Sequence, residues 1–378
     1  MSNKQLTVIQ VLPALNGGGV EKGTLEIGRF LAQQGHRSIV VSAGGRMVQQ
    51  LIDEGSEHIQ ADIGAKKLST LRYISWFRRM MLDIRPDIVH LRSRLPAWIC
   101  YLAWKSLPKK DRPHLVSTFH SHHSVNRYSE IMACGERVIA VSNMMKNYII
   151  NAYPNVDPNK IRVIHRGVDT QKFTPEYRPS KEWLQAWYAE FPETVDKALI
   201  TIPGRLTRKK GHEDFIKIMV RLIDLALPVH GLIVGDTDPK KTYYRDELEK
   251  SIAGAGLSKN ITFTGHRNDL ENIMSISSIV LTIKTEPEAF GRTTAEALSL
   301  GIPVIGYAIG GVEEQMAELF QEGLVNVGDI ETATGKIQDF LSNRPVIKSN
   351  SLFTLDKMCK DTYSVYEELI NPSESQKI

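Results

Sequence analysis

Eleven short apolar runs recur along the chain, most of them separated by helix-patterned segments, and this alternation restricts the fold more than any other feature. The first series reads "LTVIQVL" (6–12), "SIVVSA" (38–43), "DIVHL" (87–91), "HLVSTF" (114–119), "RVIAVS" (137–142) and "IRVIH" (161–165). The second reads "ALITIPG" (198–204), "VHGLIVG" (229–235), "NITFTG" (260–265), "SIVLTI" (278–283) and "IPVIGY" (302–307). Runs that are apolar throughout belong to strands covered on both faces, so each series predicts a parallel sheet sandwiched between helices. Two consecutive doubly wound α/β units follow. The join falls within about residues 170–197, where Pro175, Pro179 and Pro192 interrupt the pattern. There "SKEWLQAWYAEF" places Trp183, Leu184, Trp187, Tyr188 and Phe191 at helical spacing. A last helix is expected over Leu352–Ile370, followed by a polar tail.

Length and composition agree with this reading. A chain of 378 residues with 42% hydrophobic and 24% charged side chains suits two soluble domains. No run approaches the roughly 18 apolar residues of a membrane-spanning helix. No signal peptide is expected from "MSNKQLTVIQVLPALNGGG". Cys100, Cys134 and Cys359 are odd in number and far apart, which fits a reducing cytoplasm better than a disulfide or metal framework. The net charge of +4 hides an asymmetry: residues 1–170 hold 23 Lys/Arg against 13 Asp/Glu, and the remainder 24 against 30. A basic first half points to an anionic substrate or membrane surface. Nucleic acid is not expected, because no Arg-Gly or aromatic-basic cluster accompanies the charge.

In open α/β sheets ligands bind beyond the carboxyl ends of strands, so the loops there are the candidates for chemistry. Asn16-Gly17-Gly18-Gly19 precedes a helix and is either a phosphate or sugar contact or a tight turn. Gly17, Gly19 and Gly23 form a loose relative of a dinucleotide fingerprint, but strand 2 ends in Ser42-Ala43-Gly44-Gly45 without the acidic residue a ribose needs. In "PGRLTRKKGHEDFI", Arg208 and Lys209 read as a solvated basic loop. Arg205 and Lys210 each adjoin a glycine and are candidates for stabilising a leaving diphosphate. In "PEAFGRTTAEA", Gly291 opens a helix that Gly301 ends. Taken alone, Glu288 is a loop carboxylate in water and Glu296 a helix-dipole partner. Asp236-Thr237-Asp238 follows a strand and reads as a plain loop.

Taken together, these segments resemble glycosyltransferase family 4, retaining enzymes of the GT-B fold. Glu288 and Glu296 match the family's Glu-x7-Glu, and Gly310, Gly311 and Glu314 its Gly-Gly-x-x-Glu. Gly204-Arg205-Leu206 and Lys210-Gly211 match its Gly-Arg-Leu and Lys-Gly, "HRGVDTQKF" (165–173) its Asn-Gly-Val-Asp, and "STFHS" (117–121) its Thr-x-His. The matches keep family order over nearly the whole chain. Three positions depart from the pattern: Glu313 stands where a small residue is common, Ser121 where Gly is, and "HRGVD" lacks the usual Asn.

The resemblance implies two Rossmann-like domains facing a cleft. They would be an acceptor-side domain over 1–178 and a nucleotide-sugar domain over 179–350, with a helix in 351–378 returning to the first. It implies catalytic roles for Arg205, Lys210, Glu288 and His120. Arg205 and Lys210 would take the diphosphate in place of a metal. Glu288 with Ala289, Phe290, Gly291, Arg292 and Thr293 would hold the sugar and distal phosphate, and Glu296 the ribose. His266 and Arg267 would frame the base, Gly18 and Gly19 would approach the donor phosphate, and His120 would lie beside the transferred sugar. No metal or cofactor is implied; the donor is a nucleotide-diphosphate sugar, UDP-linked by preference. The expected activity is transfer of a hexose-type sugar to a bacterial surface glycan or glycolipid precursor, with lipopolysaccharide favoured. A GT-B nucleotide-sugar epimerase and a non-catalytic donor-binding subunit are the rivals. Separately, residues 60–112 hold 12 Lys/Arg against 4 Asp/Glu. A helix over about 68–84 would turn Leu71, Ile74, Phe77, Met81 and Ile84 to one side, with Arg72, Trp76, Arg78 and Arg79 elsewhere. It is either a core helix with a basic outer face or a dock for the anionic cytoplasmic face of the inner membrane.

Overall fold

The computed structural model describes residues 5–237 and 243–371. It divides into two units, one running up to Gly167 and resuming at Leu355, the other spanning Val168–Thr354. Each is an all-parallel sheet covered by helices, so the doubly wound expectation holds for both.

The first sheet has seven strands: β1 (Thr7–Val11), β2 (Arg37–Ser42), β3 (Glu57–Gln60), β4 (Ile88–Leu91), β5 (His114–Phe119), β6 (Arg137–Ala140) and β7 (Ile161–Val163), in the order β3-β2-β1-β4-β5-β6-β7. Strand β3 has no counterpart among the apolar runs. Its sequence Glu-His-Ile-Gln lies at the sheet edge, half exposed, where an apolar pattern is not required. The order reverses between β1 and β4, so the loops after these two strands flank a topological switch point. The helix Gly19–Gln33 and the helix Leu355–Ile370 pack against the sheet, joining Leu6, Val8, Ile88, Val116, Ile139 and Ile164 in one core with Ile27, Leu31, Met358, Val365, Tyr366 and Leu369. In the last helix the buried residues Met358, Cys359, Thr362, Val365, Tyr366 and Leu369 follow a 3.6-residue period, which is why it forms one apolar stripe. Glu368 on its outer side receives Arg137 at 2.7 Å and Arg162 at 2.5 Å, and these cations hold its carboxyl below the usual range.

The basic helix begins as a single 3-10 turn, Leu68–Leu71, and continues as Arg72–Ile84. Its buried side is Phe77, Met80 and Met81. Leu71, expected on that side, is instead 56% exposed, and Leu68 is 89% exposed. The 3-10 turn rotates both leucines off the helix's buried face.

The second sheet has six strands: β8 (Ala198–Pro203), β9 (Val229–Val234), β10 (Ile261–Gly265), β11 (Ile279–Thr282), β12 (Val304–Tyr307) and β13 (Leu324–Val325), in the order β10-β9-β8-β11-β12-β13. Its switch point lies between β8 and β11. Phe215, Ile218, Met219 and Leu222 of the helix His212–Asp224 join the core on one face. On the other, Trp187 of the helix Lys181–Glu190 and Phe191 just after it pack on Leu199, Leu232, Val234 and Ile273. The amphipathic "SKEWLQAWYAEF" segment thus covers this sheet, with Trp183 stacked on Trp187 at 5.3 Å.

Candidate active site

Both switch points carry the residues singled out in the sequence. In the second unit, Gly204 leaves β8 and Leu206 drops back into the core, 4% exposed, which leaves Arg205 facing solvent. A 3-10 turn, Arg208–Lys210, ends at Gly211 with φ +80. A side chain at Gly211 would put its Cβ 2.0 Å from the Ile283 carbonyl, so only glycine lets this loop dock on the end of β11. That docking aims Lys210 inward. Its neighbours turn out: Arg208 pairs with Glu247 at 2.5 Å and lies over the Tyr244 ring, and Lys209 pairs with Glu286 at 2.5 Å. Exposed pairs of this kind contribute roughly 0–1 kcal/mol each.

Lys210 and Glu288 meet at the centre. Lys210 Nζ lies 3.7 Å from Glu288 Oε1, and Lys284, at the end of β11, contacts the other carboxylate oxygen. Burial pushes the Lys210 and Lys284 ammonium groups down from the ordinary lysine value; Arg205 adds to this at Lys210, and Lys210 adds to it at Lys284. Lys210 and Lys284 thus share one carboxylate, with Arg205 exposed beside Lys210. Lys284 was not anticipated. In "TIKTEPEAF" it reads as an ordinary residue past a strand, and only the pairing of β11 beside β8 brings it to Lys210.

The loop carrying Glu288 is held by main chain. Gly311 N–H donates to the Glu288 carbonyl at 2.8 Å, and a Cβ on Gly311 would lie 2.5 Å from Phe290 Cα. The fully buried Gln315 donates to the carbonyls of Phe290 and Gly311. The Gly-Gly pair therefore braces the Glu288 loop; Gln315 was not singled out in the sequence. Ala289 and Phe290 are 7% and 4% exposed, so they present backbone rather than side chain to a ligand. Gly291, with φ +88, caps the helix Arg292–Ser299, and Thr293 sits half-buried in its first turn. Glu296 lies on that helix, buried, 3.5 Å from Arg292 Nε. The two glutamates are thus engaged by different cations. His266 is exposed. Arg267 is bound by Asp269 at 2.8 Å and Glu190 at 3.1 Å, over the Trp187 ring. Asp236 accepts Leu206 N–H through its carbonyl at 3.2 Å, while Asp238 lies outside the described residues.

In the first unit Gly18 and Gly19 are exposed at the start of the helix Gly19–Gln33, with no side chain capping it. His120 follows β5. Its Nδ1 lies 2.6 Å from Arg166 Nη2. Behind it His90 is fully enclosed, with Nδ1 2.6 Å from Tyr366 Oη and Nε2 2.6 Å from Thr118 Oγ1. Burial and the Arg166 and Arg92 guanidiniums hold the His120 ring well below the ordinary histidine value. Arg166 stands where the family pattern has Asn, and its contact with His120 could not be read from the sequence.

Residues 17–172 match the model of Glycosyltransferase Family 4, and residues 185–353 match Glycosyl transferases group 1. The fold matches a glycosyltransferase from Rickettsia africae ESF-5, with 29% identity, a TM-score of 0.86, and 98% of this chain and 100% of that one covered. It also matches Anabaena Alr3699/HepE, solved with UDP and glucose, at 19% identity and a TM-score of 0.79 over 96% and 100% of the chains. Among curated sequences, the lipopolysaccharide core biosynthesis mannosyltransferase LpsB of Rhizobium meliloti is 22% identical over 62% of this chain and 66% of its own length. The chain spans about half the length of other curated relatives it matches. Two Rossmann-like units, switch-point loops bearing the expected motifs, and two family models that between them take in both units lead to one assignment: the chain belongs to the GT-B glycosyltransferases of family 4, with a group 1 domain as its second half.

Proposed function

We propose that the chain is a retaining, metal-independent glycosyltransferase that moves a hexose-type sugar from a nucleotide-diphosphate sugar, UDP-linked by preference, to a bacterial surface glycan or glycolipid precursor. The observation that carries this reading is the meeting of Lys210 and Lys284 on Glu288 at the β8/β11 switch point, with Arg205 beside Lys210. Basic side chains converging beyond two strand ends suit an anion such as a diphosphate. Arg205 and Lys210 take the two phosphates, and Lys284 shares the negative charge that develops as the glycosidic bond breaks. Glu288, held by its carbonyl to Gly311, accepts hydrogen bonds from sugar hydroxyls. Glu296 is assigned to the ribose and His266 to the base. Retention of configuration follows if the leaving phosphate oxygen accepts the proton of the incoming hydroxyl on the same face of the sugar. The protein then supplies position and charge rather than a nucleophile.

The relatives support the substrate classes by analogy: HepE is crystallised with UDP and glucose, and LpsB is a lipopolysaccharide core mannosyltransferase. Lipopolysaccharide assembly is therefore the favoured pathway. The exposed Leu68 and Leu71, set among Lys66, Lys67 and Arg72, are assigned to the anionic cytoplasmic face of the inner membrane. No helix among the described residues is long and apolar enough to cross a membrane. The test is nucleotide release from UDP-sugars with lipid-linked and lipopolysaccharide-core acceptors, followed by anomeric NMR of the product. Release with an inverted product would remove the retaining assignment. Binding without turnover on any acceptor would remove the transferase.

A further inference from the structure

Arg166 is 8% exposed and lies between two elements. On one side is the helix Gly19–Gln33, where a Cβ added at Gly23 would fall 1.9 Å from Arg166 Nη1 and 2.9 Å from Cζ. Gly23 is therefore the residue that makes room for this guanidinium. On the other side Nη2 reaches His120 Nδ1 at 2.6 Å. A guanidinium has donors only, so Nδ1 must be the accepting, unprotonated nitrogen of that ring. A neutral imidazole then carries its single proton on Nε2. His120 Nε2 is screened from solvent and has no hydrogen-bond partner among the described residues.

We propose that Arg166 is a positioning residue that fixes His120 as the Nε2–H tautomer, so that His120 serves the bound sugar as a hydrogen-bond donor and not as a general base. A base would need its lone pair on the outer nitrogen, and here the lone pair is already committed to Arg166. The groups facing the ring reinforce the same state. Arg92, His90 and His123, together with Arg166, all oppose a charge on it, and burial opposes it most. The proposal rests on the glycosyl-transfer reading for its last step only, the oxygen that Nε2–H meets.

Long-range nitrogen–proton NMR of the full-length, histidine-labelled protein tests it, with the His120→Gln spectrum identifying the His120 resonances. Wild type should show Nδ1 bare and Nε2 protonated at pH 7. Arg166→Met should populate the Nδ1–H form and raise the ring's pKa toward the ordinary value. Arg166→Lys, which keeps a donor, should retain the wild-type tautomer. Gly23→Ala should reproduce the Arg166→Met spectrum by pushing the guanidinium away. In turnover, Arg166→Met should lower kcat by about tenfold with little change in donor KM, the size of one lost hydrogen bond. His120→Gln, which retains an N–H donor, should keep about ten times the activity of His120→Ala. A wild-type ring protonated on Nδ1, or a tautomer unchanged in Arg166→Met, overturns the proposal whatever the activity. Equal loss in His120→Gln and His120→Ala overturns the donor role. The expected tautomer with no sugar transfer to any acceptor would instead sink the transfer reading.

Discussion

Around the β1/β4 switch point the arginines are buried beside neutral histidines, whereas at β8/β11 the basic groups range from an exposed Arg205 to a mostly covered Lys284 and meet a carboxylate. Arg92 and Arg166 are 4% and 8% exposed, and His90 and His120 stay neutral beside them. Lys210 keeps a quarter of its side chain in solvent and shares Glu288 with Lys284. The first arrangement fixes the orientation and protonation of a ring. The second is the arrangement proposed above to receive a ligand that brings its own negative charge. The same strand topology therefore supports two kinds of site, and the difference lies in what the loops after β4, β5, β8 and β11 carry.

The comparison breaks most sharply at Lys210. Lys210→Ala should lower turnover by roughly 100-fold, the cost of losing a charge contact to a developing oxyanion. Steady-state nucleotide release measures it, and near-normal rates would make the lysine structural. Acid should act on the other unit. Six histidines of the first unit, His36, His58, His90, His120, His122 and His123, sit below their ordinary pKa, against His212 and His230 in the second. A group with a depressed folded pKa gives its full stability above the unfolded value, 6.5, and loses it as pH falls toward the folded one. The first unit should therefore melt ahead of the second as pH drops below about 6.5. Calorimetric scans of the wild-type chain between neutral and acid pH would show two transitions drawing apart, and a single transition at every pH would contradict this.

A gentler perturbation is Glu288→Gln. Removing the one carboxylate leaves the lysines less compensated, so free nucleoside diphosphate should bind roughly threefold to tenfold tighter even as sugar transfer falls. Weaker diphosphate binding would mean that Glu288 orders the lysines rather than opposing them. The smallest effect concerns the basic patch. Each of Arg72→Gln and Arg79→Gln should weaken binding to anionic vesicles by about fivefold without changing Tm. Unchanged vesicle binding would leave that surface a solvated face.

Much of this was legible in the sequence because it depends on local pattern. The apolar runs located every strand except the edge strands: β3, polar and half exposed, and β13, only two residues long. The motif glycines were legible too, and the structure gives them a reason: Gly211 admits the Ile283 carbonyl and Gly311 the Phe290 backbone. What was not legible depends on strand order. Lys284 joins Lys210 only because β11 pairs with β8, and Arg166 reaches His120 across 46 positions. Leu71 falls on the buried side only of a continuous helix, and the 3-10 turn before Arg72 turns it out.

The function of the second unit turns on whether Arg205, Lys210 and Lys284 hold a diphosphate. Thermal shifts of the full chain with UDP, GDP, ADP and their nucleosides, repeated in a Lys210→Ala, Lys284→Met double variant, test it directly. At least one diphosphate should raise Tm where its nucleoside does not, and the double variant should lose most of that rise. Equal shifts for nucleoside and diphosphate, or a rise undiminished in the double variant, would contradict it.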